Sequence, residues 1–305
     1  MVEQFFASLS DGLLLGFVYG LAAMGLTLIF GVMRVINLAH GPIIALGMFG
    51  VLIFSHPESV FSSEAAQGTT TYAVLNTLRM HPYLALILVA VLGLLFGIVM
   101  YSVSVHRVLN ASQLSSLLGT FSVNMIIIGI GTALLTTNTF AVDFSMGSVE
   151  LGAITLPGTR LVAALCSLLI TGGLYLFLYR TPPGKAIRAV ANNRDAAELM
   201  GVASVRMLAL SFGLGTMLAA LSGGLIATFF PFTILSGGGY QLKSFVIVVL
   251  GGLGNPTGAL LGGLILGAME GVVPVFMPTS WVPVIEFVLF VIILLVRPSG
   301  ILGAR

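Results

Sequence analysis

The sequence is poor in charged residues, with 12 lysines and arginines and 10 aspartates and glutamates in a chain of 305 residues. A soluble domain carries roughly 25% charged residues, because its surface must be hydrated. The 7% found here excludes a water-exposed globule of this length. No basic tract is present either, so the sequence does not indicate nucleic acid as a partner.

The residues that support catalysis and metal binding are equally scarce. The single cysteine, Cys166, excludes a disulfide within the chain. The four histidines are dispersed, without the paired spacing of a metal site: His40, His56, His81 and His106. Gly184-Lys185 lacks the upstream glycine and the following Ser or Thr of a phosphate-binding loop. The sequence therefore predicts neither an enzyme nor a chain that binds a cofactor or a metal.

Apolar residues dominate instead, at 58% of the chain, in continuous runs that approach the roughly 20 residues needed to cross a bilayer as a helix. This pattern predicts an all-α polytopic membrane protein of the plasma (inner) membrane, with a single transmembrane domain over residues 1–305. We expect eight to ten transmembrane segments, with nine candidates: 12–33, 41–55, 83–102, 114–136, 160–180, 207–230, 242–254, 256–273 and 282–297. Two of these, 41–55 and 242–254, are short and are expected to be re-entrant or half-length helices.

The lysines and arginines predict the orientation of these segments. If the first one runs from outside to inside, nine basic residues lie inside: Arg34, Arg107, Arg180, Lys185, Arg188, Arg194, Arg206, Arg297 and Arg305. Only Arg79, Arg160 and Lys243 then lie outside. Because basic residues concentrate on the cytoplasmic side, the N-terminus is predicted outside and the C-terminus in the cytoplasm.

Glycines recur at helical spacing in two of the candidate segments. Gly12, Gly16 and Gly20 are four residues apart, and so are Gly263, Gly267 and Gly271. Such small faces let helices approach closely in lipid, either within one subunit or between two. The segments 31–49 and 251–269 also resemble one another, because each breaks an apolar run with Gly, Pro and Asn. Interrupted segments of this kind suggest an internal repeat around a transport path.

The break VINLAHGPIIALG, residues 35–47, places Asn37 and His40 just before Gly41 and Pro42. Pro42 removes a backbone donor, so Asn37 and His40 are expected to bond the carbonyls that it frees. Alternatively, they face a transport path or act as a hinge. No second ligand or acid lies at a useful spacing from His40, so a catalytic histidine is not predicted.

Residues 181–206 form the long polar loop assigned to the inside. Asp195 and Glu198 have the spacing of a capping box, which predicts a short helix over 196–200 closed by Gly201. Together with Arg180, which precedes it, the loop carries five basic residues, and it is either an ordinary positively charged loop at the lipid headgroups or a docking element for a cytoplasmic partner. In the second case Ala197, Leu199 and Met200 would fill a groove in that partner.

Four passages resemble the permease subunits of ATP-binding cassette (ABC) importers of the branched-chain amino acid type. They are GLTLIFGVMRVINLAHGPIIALGMF, GKAIRAVANNRDAAELMGV, VVLGGLGNPTGALLGGLILG and RPSGILG, in this order along the chain. The resemblance includes Asn-x-Ala-His-Gly at residues 37–41, and Ala-x-x-x-Gly at Ala197 and Gly201. It implies that residues 192–202 couple the permease to ATPase subunits.

The resemblance also implies the partners of the chain. Permeases of this family pair with a second permease subunit, a copy or a paralogue, and receive solute from an extracytoplasmic solute-binding protein. ATP and Mg²⁺ are bound by two cytoplasmic ATPase subunits. We therefore expect a membrane-embedded subunit of an ATP-driven importer for a small polar solute, a branched-chain amino acid or an amide or urea-like molecule.

Candidate residues can be named for ATPase coupling and for the transport path. ATPase coupling is expected from Asp195, Ala197, Glu198, Leu199, Met200 and Gly201. Candidates for lining the path or acting as a hinge are Asn37, His40, Gly41, Pro42, Ser122, Asn124, Gly254 and Asn255. The alternative function is a proton- or ion-coupled secondary transporter that uses Glu270 or Glu286, since a charge within a membrane segment is a functional candidate by default. Both acids are also close to the predicted external turn, which would make them ordinary surface residues.

Overall fold

A computed structural model describes residues 2–61, 67–108, 113–135, 137–151, 154–297 and 299–303. Its helices, in chain order, are α1 (Val2–Met33), α2 (His40–Ser55), α3 (Pro57–Val60), α4 (Thr70–Thr77), α5 (Pro82–Met100), α6 (Gln113–Leu135), α7 (Gly158–Arg180), α8 (Pro182–Asn192), α9 (Arg194–Leu199), α10 (Ser204–Ala227), α11 (Gly237–Gly251), α12 (Pro256–Phe276) and α13 (Val282–Val296). A π-helical turn, Tyr101–Val105, continues α5, and a 3₁₀ turn, Thr279–Trp281, precedes α13. β1 (Ser148–Leu151) and β2 (Ile154–Pro157) form an antiparallel hairpin.

Seven helical stretches within these ranges are long and apolar enough to cross a membrane. They are α1, α5 with its π-helical turn, α6, α7, α10, α12, and α13 with its 3₁₀ turn. Continuous helix is expected for such runs, because lipid offers no partner for an unpaired backbone group. The prediction of an all-α polytopic membrane protein is confirmed.

The two segments predicted to be short are short. α2 has 16 residues and α11 has 15, which corresponds to roughly 24 and 22 Å of helix. The predicted boundaries were wrong in two places. α1 begins at Val2 rather than at residue 12, and α11 begins at Gly237 rather than at residue 242. The second difference matters because it places Lys243 in the second turn of α11 rather than beside its first residue.

The core of the bundle consists of α1 and α10, which bury most of their residues. α10 packs against α1, α2 and α5, and α1 packs along the whole of α12. By contrast, α6 and α13 expose most of their apolar side chains. This inverted surface, with apolar residues outside, is expected where the surroundings are lipid or another membrane subunit.

The glycine series of α1 and α12 meet within this one chain. A Cβ atom added at Gly267 would lie 2.3 Å from the Gly12 carbonyl oxygen, and one at Gly16 would lie 2.7 Å from the Gly263 carbonyl oxygen. The backbone of α1 from Gly12 to Gly20 therefore lies directly against the backbone of α12 from Gly263 to Gly271. Of the two interpretations of the glycine spacing, packing within one subunit is confirmed.

The bundle has two distinct ends. The β-hairpin, the N-terminus of α1 and the turn between α12 and α13 lie together at one end, which we call the hairpin end. Helices α8 and α9 and residues 299–303 lie at the other, which we call the coupling-loop end.

Candidate functional site

The break after α1 is held by side chains from three helices. Arg34 has φ 55°, in the left-handed region, and turns the chain away from α1. Asn37 is fully buried, and its Oδ1 accepts a hydrogen bond of 3.0 Å from the Ala39 backbone N–H. Across the break, the Thr120 hydroxyl of α6 lies 3.2 Å from the Ile36 carbonyl oxygen and accepts a bond of 3.2 Å from the Leu38 N–H. These bonds fix the position from which α2 begins.

His40 connects the start of α2 to the middle of α1. Its Nε2 lies 3.0 Å from the Ala22 carbonyl oxygen, so Nε2 carries the proton, because a carbonyl can only accept. His40 Nδ1, Asn37 Nδ2 and Thr27 Oγ1 are buried and make no hydrogen bond to any described residue. The prediction that Asn37 and His40 bond carbonyls freed by Pro42 is wrong. Asn37 accepts from an N–H within the break, and His40 bonds a carbonyl of another helix.

Gly41 brings the N-terminus of α2 against the N-terminus of α11. A Cβ atom at Gly41 would lie 2.3 Å from the Gly237 carbonyl oxygen, so no larger residue fits here without a shift. The Gly41 N–H donates a bond of 3.1 Å to Gln241 Oε1, while Pro42 is buried in the first turn of α2. The two short helices thus start side by side inside the bundle.

The second break, between α11 and α12, is organised by Asn255. Its Oδ1 accepts bonds from the Thr257 and Gly258 backbone N–H groups, at 3.0 and 3.3 Å, and so caps α12. Its Nδ2 donates 2.9 Å to the Leu302 carbonyl oxygen, which holds the C-terminal segment against the break. Gly254, with φ 83°, packs its backbone on Gly31 at the end of α1.

Ser122 and Asn124 lie on α6, two and four residues after Thr120. The exposed Ser122 hydroxyl donates 2.8 Å to the Leu118 carbonyl oxygen of its own helix. Asn124 Oδ1 is buried and makes no hydrogen bond to any described residue. The predicted path or hinge residues are thus distributed over the first break, the second break and α6.

The polar loop folds as two helices, α8 and α9. Asn193 caps α9, since its Oδ1 accepts 3.0 Å from the Ala196 N–H. The predicted capping box of Asp195 and Glu198 is wrong. Asp195 lies inside the first turn, and Glu198 Oε1 instead pairs with Arg194 Nε at 3.1 Å. α9 begins two residues before the predicted helix because α8 ends at Asn192 and Asn193 alone separates the two.

Gly201 closes α9 as predicted. Its φ is 84°, its N–H donates 2.9 Å to the Glu198 carbonyl, and the Val202 N–H donates 3.0 Å to the Ala197 carbonyl. These two bonds define a Schellman motif with Gly201 at C′. Ala197 is buried against the bundle, whereas Leu199 and Met200 are 88% and 85% exposed. The turn therefore presents two large apolar side chains to its surroundings.

A cleft of about 650 Å³ lies at the hairpin end, and the sequence did not predict it. The residues that line it come from α1, α7, α11–α13 and the connections beside them: Ser8, Asp11, Leu15, Tyr19, Arg160, Phe230, Pro231, Tyr240, Lys243, Glu270, Gly271, Pro274, Thr279, Val282, Pro283 and Glu286. None of the predicted path or hinge residues belongs to this lining. Five of the lining side chains belong to Asp, Glu, Lys or Arg residues.

Two ion pairs lie within the cleft. Asp11 of α1 pairs with Arg160 of α7, and Lys243 of α11 pairs with Glu270 of α12. The Lys243 ammonium also lies 4.9 Å from the centroid of the Tyr19 ring. From the sequence, Lys243 was expected on the outer side, at the start of segment 242–254, and its pairing with Glu270 was not predicted. The sequence did contain a signal for a functional role of Lys243, because it is the one basic residue between Arg206 and Arg297.

The chain matches, over residues 8–294, the family described as the permease component of branched-chain amino acid transport systems. The chain belongs to this family. The resemblance to permeases of ABC importers of the branched-chain amino acid type is thus confirmed, and the protein is a transport subunit rather than an enzyme. Family membership and the apolar helices together make the permease a multi-pass protein of the inner membrane.

Individual relatives align over nearly the whole permease. It is 28% identical to the high-affinity branched-chain amino acid transport system permease protein LivH of Salmonella typhimurium, over 99% of this chain and 98% of the relative. It is 26% identical to the corresponding protein BraD of Pseudomonas aeruginosa, over 99% and 97%. A shorter stretch, 38% of this chain, is 35% identical to the autoinducer 2 import system permease protein LsrC of Klebsiella pneumoniae, of which it covers 35%. No solved structure matches the permease.

Proposed function

We propose that the permease moves a small polar solute into the cytoplasm as the membrane subunit of an ATP-driven importer. The solute is a branched-chain amino acid or an amide or urea-like molecule. Two cytoplasmic ATPase subunits would bind ATP and Mg²⁺, and a second permease subunit and an extracytoplasmic solute-binding protein would complete the assembly. The observation that carries this proposal is the polarity of the bundle. A charged cleft opens at one end, and an exposed apolar turn stands at the other.

The basic residues support an orientation with the coupling-loop end in the cytoplasm. Residues 180–206 carry Arg180, Lys185, Arg188, Arg194 and Arg206, all on that end. Positively charged loops are retained on the cytoplasmic side of inner membranes. The cleft then opens to the outside, where a solute-binding protein would deliver solute, and the N-terminus of α1 also lies outside.

The short helix α9 would couple the permease to an ATPase subunit. Leu199 and Met200 would enter a groove on that subunit, because large exposed apolar side chains are typical anchors of protein interfaces. Asp195, Glu198 and the Schellman turn at Gly201 would set the direction of the two anchors. α8 contacts α7, α10 and α1, so displacement of α9 would be passed to the core of the bundle.

The break before α2 would act as the hinge. Residues 34–39 separate α1 from α2, and Gly41 and Pro42 lie in the first turn of α2. The break is held by side-chain bonds from Thr120 and Gln241 rather than by continuous helix. Asn37 and His40 retain buried polar atoms without a described partner, and these would serve a passing solute or water. We propose the same roles, lining the path or acting as a hinge, for four further residues: Ser122, Asn124, Gly254 and Asn255.

The alternative, a proton- or ion-coupled secondary transporter that uses Glu270 or Glu286, has one observation in its favour. Glu286 is 6% exposed, and its Oε1 makes no hydrogen bond to any described residue. Membership of a family of permease components favours the ATP-driven importer, in which the energy comes from separate subunits. The two functions differ in whether uptake requires ATP.

The test is uptake and ATP hydrolysis by the assembled transporter in proteoliposomes. Leu199→Ala combined with Met200→Ala should abolish uptake and leave little solute-stimulated ATP hydrolysis, because the variant loses its anchors on the ATPase subunit. Both side chains are exposed, so membrane insertion should be normal. Leu169→Ala, which truncates a 75% exposed residue on α7, is the matched control and should keep full activity.

Two outcomes decide between these functions. Normal uptake by the double variant would refute the docking role of α9. ATP-independent uptake by the wild type, abolished by Glu270→Gln or Glu286→Gln, would establish the secondary transporter instead. Gly201→Leu should also uncouple ATP hydrolysis from uptake. Because Gly201 has a φ of 84°, which strains any larger residue, this variant tests the turn rather than the anchors.

A further inference from the structure

A second, smaller cavity lies at the coupling-loop end, between the end of α1, the end of α7, α8 and the second break. Its volume is about 150 Å³, and no residue lines both this cavity and the cleft at the hairpin end. Most of its wall is apolar, with Leu28 and Val32 from α1, Leu178 from α7 and Ile187 from α8. We call it the α8 cavity.

Arg188 is the charged side chain in the lining of the α8 cavity. Its Nε donates a hydrogen bond of 3.0 Å to the Leu178 carbonyl oxygen, and its guanidinium carbon lies 4.3 Å from the centroid of the Tyr179 ring. These two contacts fix the plane of the guanidinium. Its terminal nitrogens make no hydrogen bond or ion pair within the described ranges. A guanidinium held in this way is preorganised for paired bonds to a phosphate.

Thr27 contributes an unsatisfied hydroxyl to the same cavity. The residue is fully buried, and its Oγ1 makes no hydrogen bond to any described residue. Hydroxyls inside a helix usually bond a carbonyl of the preceding turn, as those of Thr216 and Ser222 do in α10. Because a buried polar group without a partner is costly, Thr27 indicates that a hydrogen-bonding group enters the cavity from elsewhere.

The basic side chains around the cavity have no acid beside them. The sequence contains no aspartate or glutamate between Glu150 and Asp195. Within the part of the chain that the structure describes, Arg180, Lys185 and Arg188 make no ion pair. The three cations lie in nine consecutive residues at the junction of α7 and α8. They therefore attract an anion that is not part of this chain.

The position of the cavity along α7 corresponds to the surface of the bilayer. α7 is long and apolar enough to cross a membrane and ends at Arg180. The rings of Tyr175 and Tyr179 stack 6.0 Å apart in its last turns, and tyrosine is enriched at membrane–water interfaces. Basic pockets between helices at this depth face the phosphates of lipid headgroups.

The lining favours a lipid over a free anion. Inorganic phosphate would match Arg188 but would leave both the Thr27 hydroxyl and the apolar wall without a partner. A glycerophospholipid has ester carbonyls a few bonds from its phosphate and an acyl chain beyond them. A volume of about 150 Å³ holds roughly five groups of the size of a water molecule, which suits the glycerol ester region but not a whole lipid.

We propose that the α8 cavity binds an anionic glycerophospholipid, whose phosphate bonds Arg188 and whose ester carbonyl accepts a hydrogen bond from Thr27. Arg180 and Lys185 add attraction for a headgroup with a net negative charge. The lipid then braces α1 and the second break against α8, through which the proposed importer would pass displacement of α9 to the core. Binding itself requires neither solute nor ATP.

The binding test uses the assembled transporter, delipidated in detergent. Dioleoylphosphatidylglycerol is the probe, and its affinity is read from the rise in thermal stability as lipid is added, since a ligand that binds the folded state stabilises it. Native mass spectrometry of the same samples counts the bound lipid. Dioleoylphosphatidylcholine, which has the same chains but no net charge, should bind at least roughly 10-fold more weakly. Inorganic phosphate should not displace the probe.

Variants locate the binding to the two polar groups. Arg188→Gln should weaken phosphatidylglycerol binding by roughly 10-fold to 100-fold, and Arg188→Lys should recover only part of it, because lysine lacks the planar fork. Thr27→Val keeps the shape of the side chain and should weaken binding by roughly 2-fold to 10-fold. Without lipid, Thr27→Val should be at least as stable as the wild type, since it removes an unpaired hydroxyl. Arg297→Gln, the same exchange at an exposed arginine outside the cavity, should change nothing.

The proposal is overturned if folded Arg188→Gln or folded Thr27→Val binds phosphatidylglycerol as tightly as the wild type does. Equal affinity for phosphatidylcholine would also overturn it, and displacement of the lipid by inorganic phosphate would make the cavity a site for a free anion instead. The proposed importer function is judged separately, by ATP-dependent uptake. Uptake without ATP would refute the importer and would leave the measured lipid affinities unchanged.

Discussion

The contact between α1 and α12 predicts a large and specific cost for one added methyl group. In Gly267→Ala the new Cβ would lie 2.3 Å from the Gly12 carbonyl oxygen and 2.5 Å from both Cα and N of Gly16. Ordinary carbon contacts begin near 3.4 Å, so the shortest distance is 1.1 Å too small. All three atoms belong to the backbone of α1, and no side chain can rotate away. The helices must separate by about 1 Å.

That separation weakens packing along the whole seam. Between helices in lipid, dispersion and close backbone contact replace the hydrophobic effect as the main attraction. A gap of 0.5–1 Å forfeits about a quarter to a half of the attraction of each atom pair that it opens. Overpacking of a well-packed core costs roughly 1–3 kcal/mol, and we expect Gly267→Ala at the upper end of that range, since contacts near Gly16 and Gly263 open together.

Gly173→Ala on α7 is the matched control. Nothing lies within 4 Å of a Cβ atom at Gly173, and the position is exposed. The same exchange there should be neutral or should stabilise by up to about 1 kcal/mol, because alanine favours helix over glycine. The assay is thermal unfolding of both purified variants in mild detergent. Equal stability of Gly267→Ala and wild type, or an equal loss in Gly173→Ala, would refute this account of the seam.

Two further predictions concern hydrogen bonds and can be checked by the same thermal unfolding assay. Asn255→Ala should lose about 1 kcal/mol of stability with the α12 cap and release residues 299–303 to protease, whereas Asn255→Asp should keep the cap and lose only the bond to Leu302. Protection of the C-terminal segment in both variants would contradict this role. Gln241→Leu should cost roughly 1–3 kcal/mol by leaving the Gly41 N–H unpaired, and Gln241→Glu should cost less because it keeps an acceptor. Equal melting temperatures of the two Gln241 variants would show that this acceptor is unimportant.

Local signals in the sequence were sufficient for the breaks and for the end of the coupling helix. Gly41, Pro42 and Gly254 interrupt apolar runs through properties of their own backbone, and the structure breaks the helices beside each of them. Gly201 was expected at C′ for the same reason. The start of α9 was missed because both Asn193 and Asp195 are good caps, and the choice depends on where α8 ends.

Such local signals could not predict the charged cleft. Lys243 and Glu270 are 27 positions apart, and Asp11 and Arg160 are 149 apart. The direction in which Glu286 points was equally hidden, because the rest of α13 is almost uniformly apolar. A helix without a polar face gives no periodicity from which an inward side can be chosen.

The sequence by itself determined the class of this protein and the places where its helices are interrupted. A chain with so few charges and such long apolar runs can satisfy its backbone in lipid only as helix, and Gly, Pro and Asn decide locally where a helix stops. The tertiary structure alone decided which glycines approach one another and which acids pair with a cation. These depend on the rotation and crossing of helices that are apolar on every side, and only the packing of one backbone against another sets them.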